Sequence, residues 1–240
     1  MGPIAANLQA VLQRIERAAR AAGRNPTSVR LLAVSKTWPH ACIEEAFQAG
    51  QRAFGENHEQ EATRKIAALA HLPIEWHFIG PIQSNKTRPI AEHFAWLHSL
   101  ERERIARRLS EQRPEGFAPL MVCVQVNVSG EATKSGVSPE GAFELARLVA
   151  QLPRLELRGL MTIPAPSDDR EVQRRQFRRL RELFDDLRSR GLDLDTLSMG
   201  MSDDLEAAVM EGATLVRVGT AIFGQRTRTA ATSRLDSVDH

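Results

Sequence analysis

Lys36 is the residue around which chemistry can be built. It closes the apolar run Leu31-Leu32-Ala33-Val34-Ser35-Lys36-Thr37, which Pro39 follows. Such a run reads as a buried parallel strand, so Lys36 is expected where a strand leaves a core and enters a loop. A lysine there is either a solvated loop residue or an amine held at a mouth, able to form a Schiff base with a carbonyl compound. The ends of the later apolar runs add Asn57, His77 and Gly80, Ser99, Asn127 and Ser129, then Ser198, Gly200 and Ser202, and finally Arg217, Gly219 and Thr220. An amine, two amides and an arginine are thereby expected near one mouth.

The last two of these stretches are Ser198-Met199-Gly200-Met201-Ser202 and Gly219-Thr220-Ala221-Ile222-Phe223-Gly224. They offer backbone N–H groups made approachable by glycine, hydroxyls and helix starts, with Ser202 expected as an N-cap. That is the chemistry of a phosphate cradle. The alternative is that Ser202 only caps its helix and the glycines only make turns. Asp203 and Asp204 would repel a phosphate unless they point outward. A lysine on one side and a phosphate cradle on the other suit a ligand with an aldehyde and a phosphate, and pyridoxal 5'-phosphate is the commonest such cofactor. Arg217 would then face the pyridine nitrogen and, being unable to accept a proton, keep it unprotonated. Otherwise Arg217 is an interior arginine paired with an acid.

The elements that must position these residues alternate along the chain. An amphipathic helix is expected over 3–22, with Pro3 in its first turn, a face of Ile4, Leu8, Val11, Leu12, Ile15 and Ala18, and Gly23 as its stop. Strands are expected at 31–36, 53–57, 75–80, 96–100, 120–128, 155–163, 196–199 and 215–219. Helices are expected at 39–49, 59–70, 84–93, 101–112, 139–152, 170–190 and 203–211, the third kept short by Pro89. Eight strands separated by helices at this length argue an α/β chain folded as a (β/α)8 TIM barrel, with the first helix as an addition. No G-x-G-x-x-G follows the first strand, which disfavours an open doubly wound sheet. One domain over 1–240 is expected, the barrel covering about 28–225 and the polar 226–240 forming a flexible tail.

Composition narrows the classes. The 240 residues carry a formal charge of +2, which gives no global signal for nucleic acid. The arginines of 170–190 alternate with acids and read as a solvated face. Cys42 and Cys123 make no metal set or disulfide framework, and read as reduced thiols of a cytoplasmic protein. No stretch approaches a membrane span. Tyrosine is absent, which removes one acid or base from every mechanism.

These motifs resemble the pyridoxal phosphate homeostasis proteins, single-barrel relatives of the N-terminal domain of alanine racemase. The resemblance rests on Ala33-Val34-Ser35-Lys36-Thr37, Phe54-Gly55-Glu56-Asn57, Trp76-His77-Phe78-Ile79-Gly80-Pro81 with Gln83-Ser84-Asn85-Lys86, Gln125-Val126-Asn127 with Lys134-Ser135-Gly136, Arg158-Gly159-Leu160-Met161, Leu197 to Asp203, and Val216 to Gly224. It implies that Lys36 carries the internal aldimine and Arg217 faces the pyridine nitrogen. Ser202, with the backbone at Gly219 and Thr220, would hold the phosphate, and Asn57 and His77 would line the cofactor. It further implies a buffer or carrier of pyridoxal phosphate that influences amino-acid balance, serves pyridoxal-phosphate-dependent apo-enzymes and is a monomer or weak dimer. Trp38 and His58 stand where many relatives have a lysine and a phenol. Lys134 is a candidate secondary amine, or a solvated loop lysine.

Racemisation needs acid/base groups on both faces of the cofactor. The racemases take the second from a tyrosine of another domain, and this chain has none. A non-catalytic carrier is therefore expected. The competing expectations are a slow pyridoxal-phosphate-dependent racemase or decarboxylase, and a cofactor-free Schiff-base aldolase.

Overall fold

The computed structural model describes residues 2–225 and forms a closed barrel of eight parallel strands in sequence order, β1 to β8. The strands are β1 Arg30–Val34, β2 Ala53–Glu56, β3 Glu75–Phe78, β4 Trp96–Leu100, β5 Leu120–Gln125, β6 Leu155–Met161, β7 Thr196–Ser198 and β8 Leu215–Val218. The helices are α1 Pro3–Ala21, α2 His40–Gln48, α3 Glu59–Ala68, α4 Thr87–His93, α5 Glu103–Gln112, α6 Pro139–Gln151, α7 Arg170–Ser189, α8 Leu205–Met210 and α9 Thr220–Phe223. The expected barrel and its additional first helix are both present. The tail expected over 226–240 lies outside the described residues.

All the strands except β4 end one to three residues earlier than their apolar runs suggest. β1 stops at Val34, so Lys36 sits in the turn beyond it rather than on the strand. β5 stops at Gln125, and only an isolated bridge from Val126 to Val137 continues the run. Pro89 is accommodated because a 3-10 turn at Ser84–Lys86 feeds α4, which places the proline in the first turn, where its missing N–H removes no helical bond.

Two apolar layers hold the strands. Outside, the side chains facing the helices form one continuous core. Inside, Leu32, Ala53 and Leu215 pack with Ile79, and Trp96, Cys123 and Met161 pack with Met121. Gly55 belongs to this interior: a Cβ there would press on Leu32 Cδ2 at 3.2 Å and Ile79 Cδ1 at 3.3 Å. The inner positions are not all apolar, since His77, His98, Ser198 and Arg217 are buried as well.

α1 buries Ile4, Leu8, Val11, Ile15, Ala18 and Ala19. Burial of each large side chain contributes about 1.5–3 kcal/mol. Leu12, expected on that face, is 39% exposed and lies just outside the stripe. The helix ends where Gly23 takes φ +67, a left-handed turn that a side chain would strain, and Arg24 N–H returns to Ala19 O at 2.9 Å.

Candidate functional site

Lys36 is exposed at the C-terminal end of the barrel, and the charged side chains of Lys65 and Glu61 fix the backbone on either side of it. Lys65 of α3 is only 7% exposed, and its Nζ donates to the carbonyl of Ser35 at 2.8 Å and to Glu56 Oε1 at 2.8 Å. The Ser35 hydroxyl donates to the same Glu56 oxygen at 2.6 Å. On the other side, Thr37 N–H donates to Glu61 Oε1 at 2.5 Å, and Glu61 pairs with Lys65 at 2.6 Å. Burial raises the Glu56 pKa, and Lys65 and Ser35 pull against that rise. Thr37 itself holds φ +69, a left-handed conformation rare for a β-branched residue, which the surrounding contacts must maintain. Sequence reading missed Glu56, Glu61 and Lys65. The available signal was the i, i+4 pair of Glu61 and Lys65 one turn into α3.

Arg217 lies inside the barrel, 3% exposed. Among the described residues it is paired with no acid. Its Nη1 donates to Ser198 Oγ and its Nη2 to the carbonyl of Thr162, both at 2.8 Å. Burial lowers its pKa to about 10, so it remains charged at neutral pH. Behind Ser198 a chain of contacts runs down the axis. His98 Nδ1 meets Ser198 Oγ at 2.8 Å, His98 Nε2 meets His77 Nδ1 at 2.8 Å, and His77 Nε2 meets Glu75 Oε1 at 2.8 Å. The structure therefore corrects the expectation that His77 lines the mouth. Both of its ring nitrogens are engaged one layer lower, on His98 and Glu75, with Trp96 stacked at 5.3 Å between centroids.

This chain gives the fold an acid-side weakness. Burial lowers the pKa of both imidazoles, His98 well below the ordinary value, with His77, Arg217 and Arg30 adding to the effect there. At His77, Arg30 also disfavours the proton while Glu75 favours it. The unfolded histidines bind protons below about pH 6.5 and the folded ones do not. This contribution to stability is complete above that pH and falls as the pH drops, until the folded pKa values are passed. The expected slope is up to about 1.4 kcal/mol per pH unit for each histidine. Denaturant unfolding between pH 8 and 5 reads it, and a His98→Gln variant should lose about one proton's worth of slope; an unchanged slope would contradict the assignment. Glu75 acts in a separate window. The His77 N–H, with Arg30, holds its pKa at about 2, so its contribution is present above the ordinary carboxylate range and is lost as pH falls through that value.

The loop after β7 is tied to β8, Arg217 N–H donating to Gly200 O at 2.9 Å. A Cβ on Gly219 would approach Val34 O to 3.0 Å, so the loop after β8 passes against the end of the lysine's strand. The first N–H groups of α9 have no intrahelical acceptor, by the nature of a helix start. Ser202 is not the N-cap that its position suggested: α8 begins at Leu205, and Asp204 precedes it. Nor does Asp204 point outward. Its carboxylate accepts from Met201 N–H at 2.5 Å, and burial raises its pKa. Gly200 takes φ +94, and a Cβ there would meet Ala208 Cβ at 2.5 Å. α1 braces both loops: Arg14 donates to the carbonyl of Ser202 at 2.9 Å and pairs with Glu206, while Asn7 donates to the carbonyl of Ile222 at 3.0 Å.

Asn57 follows β2, partly buried, and its Oδ1 is buried without a hydrogen-bond partner among the described residues. Gly80 permits this placement, since a Cβ there would lie 2.0 Å from Asn57 O. Two other expected mouth residues turn away. Asn127 folds onto its own loop, accepting from Ser129 Oγ and Gly130 N–H and donating to Glu131 O. Ser99 donates its hydroxyl to Gly80 O at 2.5 Å and is buried. Lys134 lies in the same outer loop as Asn127, half-buried. A cavity of about 740 Å³ opens on the flank of the mouth, between Thr37 to His40 and the start of α3. Lys36 does not line it, and two of its three cations, Lys65 and Lys86, are already paired with Glu61 and Glu59 (the third is Arg64), so it is a neighbour of the site rather than the site.

The family model for the alanine racemase N-terminal domain matches residues 6–227. The chain is 64% identical over 226 residues to the pyridoxal phosphate homeostasis protein of Pseudomonas aeruginosa, covering 94% of this chain and 97% of that one. It belongs to the pyridoxal phosphate homeostasis protein family. The family member of Escherichia coli K12 is 52% identical over 229 residues, with 94% and 98% covered. Among solved structures, PipY of Synechococcus elongatus with pyridoxal phosphate bound superposes with a TM-score of 0.76 at 40% identity, over 88% of this chain and all of that one (100%). Alanine racemase from Corynebacterium glutamicum shares the fold at 19% identity, with a TM-score of 0.69 over 91% of this chain and 62% of that one. No helix among the described residues is long and apolar enough to cross a membrane.

Proposed function

We propose that this homeostasis-family chain binds pyridoxal 5'-phosphate at the barrel mouth, and buffers or delivers it to pyridoxal-phosphate-dependent apo-enzymes rather than turning over amino acids itself. The observation that carries the reading is the convergence of Lys36, Arg217 and the Gly219–Thr220 loop on one end of the barrel. The residues present fit the cofactor. Among the described residues Asn57 Oδ1 lacks a partner and Arg217, a donor-only group, engages two of its five N–H groups, while Gly219 leaves room only for backbone against Val34. PipY, at 40% identity, has a structure with the same cofactor, which supports the assignment.

Bound pyridoxal phosphate supplies an aldehyde for covalent attachment and an electron-withdrawing ring. Lys36 would offer the amine, on a backbone that Lys65 and Glu61 hold still. Arg217 would donate toward the ring nitrogen and deny it a proton. Thr220 N–H and the Ser202 loop would take the phosphate. A second acid or base is harder to find. Tyrosine is absent, His77 and His98 are buried in the layer below, and burial raises the pKa of the Cys123 thiol. This supports a carrier over a racemase.

The purified protein, or the protein incubated with pyridoxal phosphate, is expected to absorb in the visible, and borohydride followed by peptide mapping should place one pyridoxyl group on Lys36. Exchange of the amino-acid α-hydrogen in deuterated water should stay at the level of free cofactor, while an apo-aminotransferase mixed with the loaded protein should gain activity. A colourless protein that traps nothing on Lys36 would sink the binding reading. Fast α-hydrogen exchange would sink the carrier reading.

A further inference from the structure

The geometry points to Glu75, His77, His98 and Ser198 as a one-directional hydrogen-bond relay through the barrel axis that positions Arg217 from the floor. Four contacts of 2.8 Å join five side chains, Arg217 to Ser198, Ser198 to His98, His98 to His77 and His77 to Glu75. His77, His98, Ser198 and Arg217 are all buried. None of these links is used by the phosphate cradle or by the lysine clamp.

The direction of the relay follows from its two ends. Arg217 can only donate, so Ser198 Oγ accepts from it. The one Ser198 proton is then free to go to His98 Nδ1, which must be unprotonated to accept it. A neutral His98 carries its proton on Nε2 and donates to His77 Nδ1. His77 in turn carries its proton on Nε2 and donates to Glu75 Oε1. The charged carboxylate is acceptor-only, so the far end agrees with the near end. Every donor has one acceptor, and both histidines are neutral with the proton on Nε2. Burial and the flanking arginines, Arg217 above and Arg30 beside Glu75 at 2.5 Å, favour the same neutral forms. Reversing any one link leaves two donors or two acceptors facing each other, which is costly where water cannot intervene.

The relay therefore acts on Arg217 as a positioning device and not as a proton channel, since an arginine end cannot release a proton to the mouth. The Thr162 carbonyl fixes Nη2 and the relay fixes Nη1, which sets the plane of the guanidinium. The tautomers stand without the pyridoxal phosphate reading. The consequence for a pyridine nitrogen at the mouth rests on it.

Histidine-labelled protein without cofactor tests the relay directly by ¹⁵N NMR. His77 and His98 are expected as neutral Nε2–H tautomers at pH 7. Glu75→Gln, whose amide can donate as well as accept, should release the constraint and give His77 a mixture of tautomers, which a merely structural role for Glu75 would not produce. Charged or Nδ1–H rings in the native protein, or an unaltered His77 in Glu75→Gln, would overturn the proposal. Ser198→Ala supplies the second arm. Loss of a hydrogen bond to a charged group should weaken pyridoxal phosphate retention about tenfold. Binding of inorganic phosphate, followed at the Gly219 and Thr220 amides, should be unchanged. Equal loss for both ligands would count against positioning through Arg217. Normal histidine tautomers with no cofactor binding in the native protein would instead fault the functional reading and leave the relay intact.

Discussion

Replacing Lys65 by methionine is expected to destabilise the barrel by about 3–5 kcal/mol, the range for removing one partner of a buried ion pair. Glu56 is fully buried, and its Oε2 already lacks a partner among the described residues. Without the ammonium, Glu56 Oε1 keeps only the Ser35 hydroxyl, and the Ser35 carbonyl loses the donor at 2.8 Å. Methionine fills much of the volume, so a lost cavity contributes little and the electrostatic loss dominates. For a domain of this size the melting temperature should fall by roughly 10 °C. The combined Lys65→Met and Glu56→Gln variant should lose less than the sum of the two single changes, because the second removes the stranded charge. The effect should also reach function. Thr37 holds its left-handed φ with Glu61 on its N–H, and Glu61 is anchored by Lys65, so Lys36 should lose its fixed backbone and capture aldehydes more slowly. A single variant within 1 kcal/mol of the native protein, about the size of a surface pair, would show that Lys65 is solvated rather than buried.

Much of the barrel was legible because its signals are local. Runs such as Leu31 to Val34 and Leu120 to Val124 are apolar on both faces, as strands buried between a core and a helix layer must be. Strand ends were less legible. Pairing stops where the partner strand stops, and no residue in Val126-Asn127-Val128 announces that. Lys36 and Arg217 were readable as polar residues at the ends of apolar runs. Lys65 was not, since within Glu-Ala-Thr-Arg-Lys-Ile it looks like one more solvated helix residue. Its burial depends on Glu56 nine positions earlier, and on how closely α3 packs against β2. His77 and His98 gave a partial signal as polar residues within apolar strands. What each faces depends on register across β3, β4 and β7, which is a tertiary quantity. The direction of Asp204 was not legible for a similar reason: nothing in two adjacent acids before a helix says that one turns back to the Met201 N–H.

Lys36→Ala is expected to abolish covalent capture of pyridoxal phosphate while leaving the fold unchanged. Lys36 is exposed and makes no hydrogen bond or ion pair among the described residues, so truncating it should alter stability by no more than about 0.5 kcal/mol. No neighbouring amine can take over. Lys65 Nζ is held by three acceptors, at 2.8, 2.8 and 2.6 Å, and is excluded from the mouth by its own burial. Lys86 is paired with Glu59 at 2.6 Å on the flank of the adjoining cavity. The backbone donors at Gly219 and Thr220 and the Arg217 guanidinium remain in place, so the variant should still bind the cofactor reversibly and lose it on dialysis. The visible band of the covalent form should vanish, and borohydride should leave the mouth peptides unmodified. Lys36→Arg should behave the same way despite keeping the charge, because a guanidinium is a poor nucleophile at neutral pH. That comparison separates nucleophilicity from electrostatics. If Lys36→Arg retained stoichiometric borohydride-stable labelling, the amine that holds the aldehyde would have to be another lysine, and the clamp around Lys36 would need a different explanation.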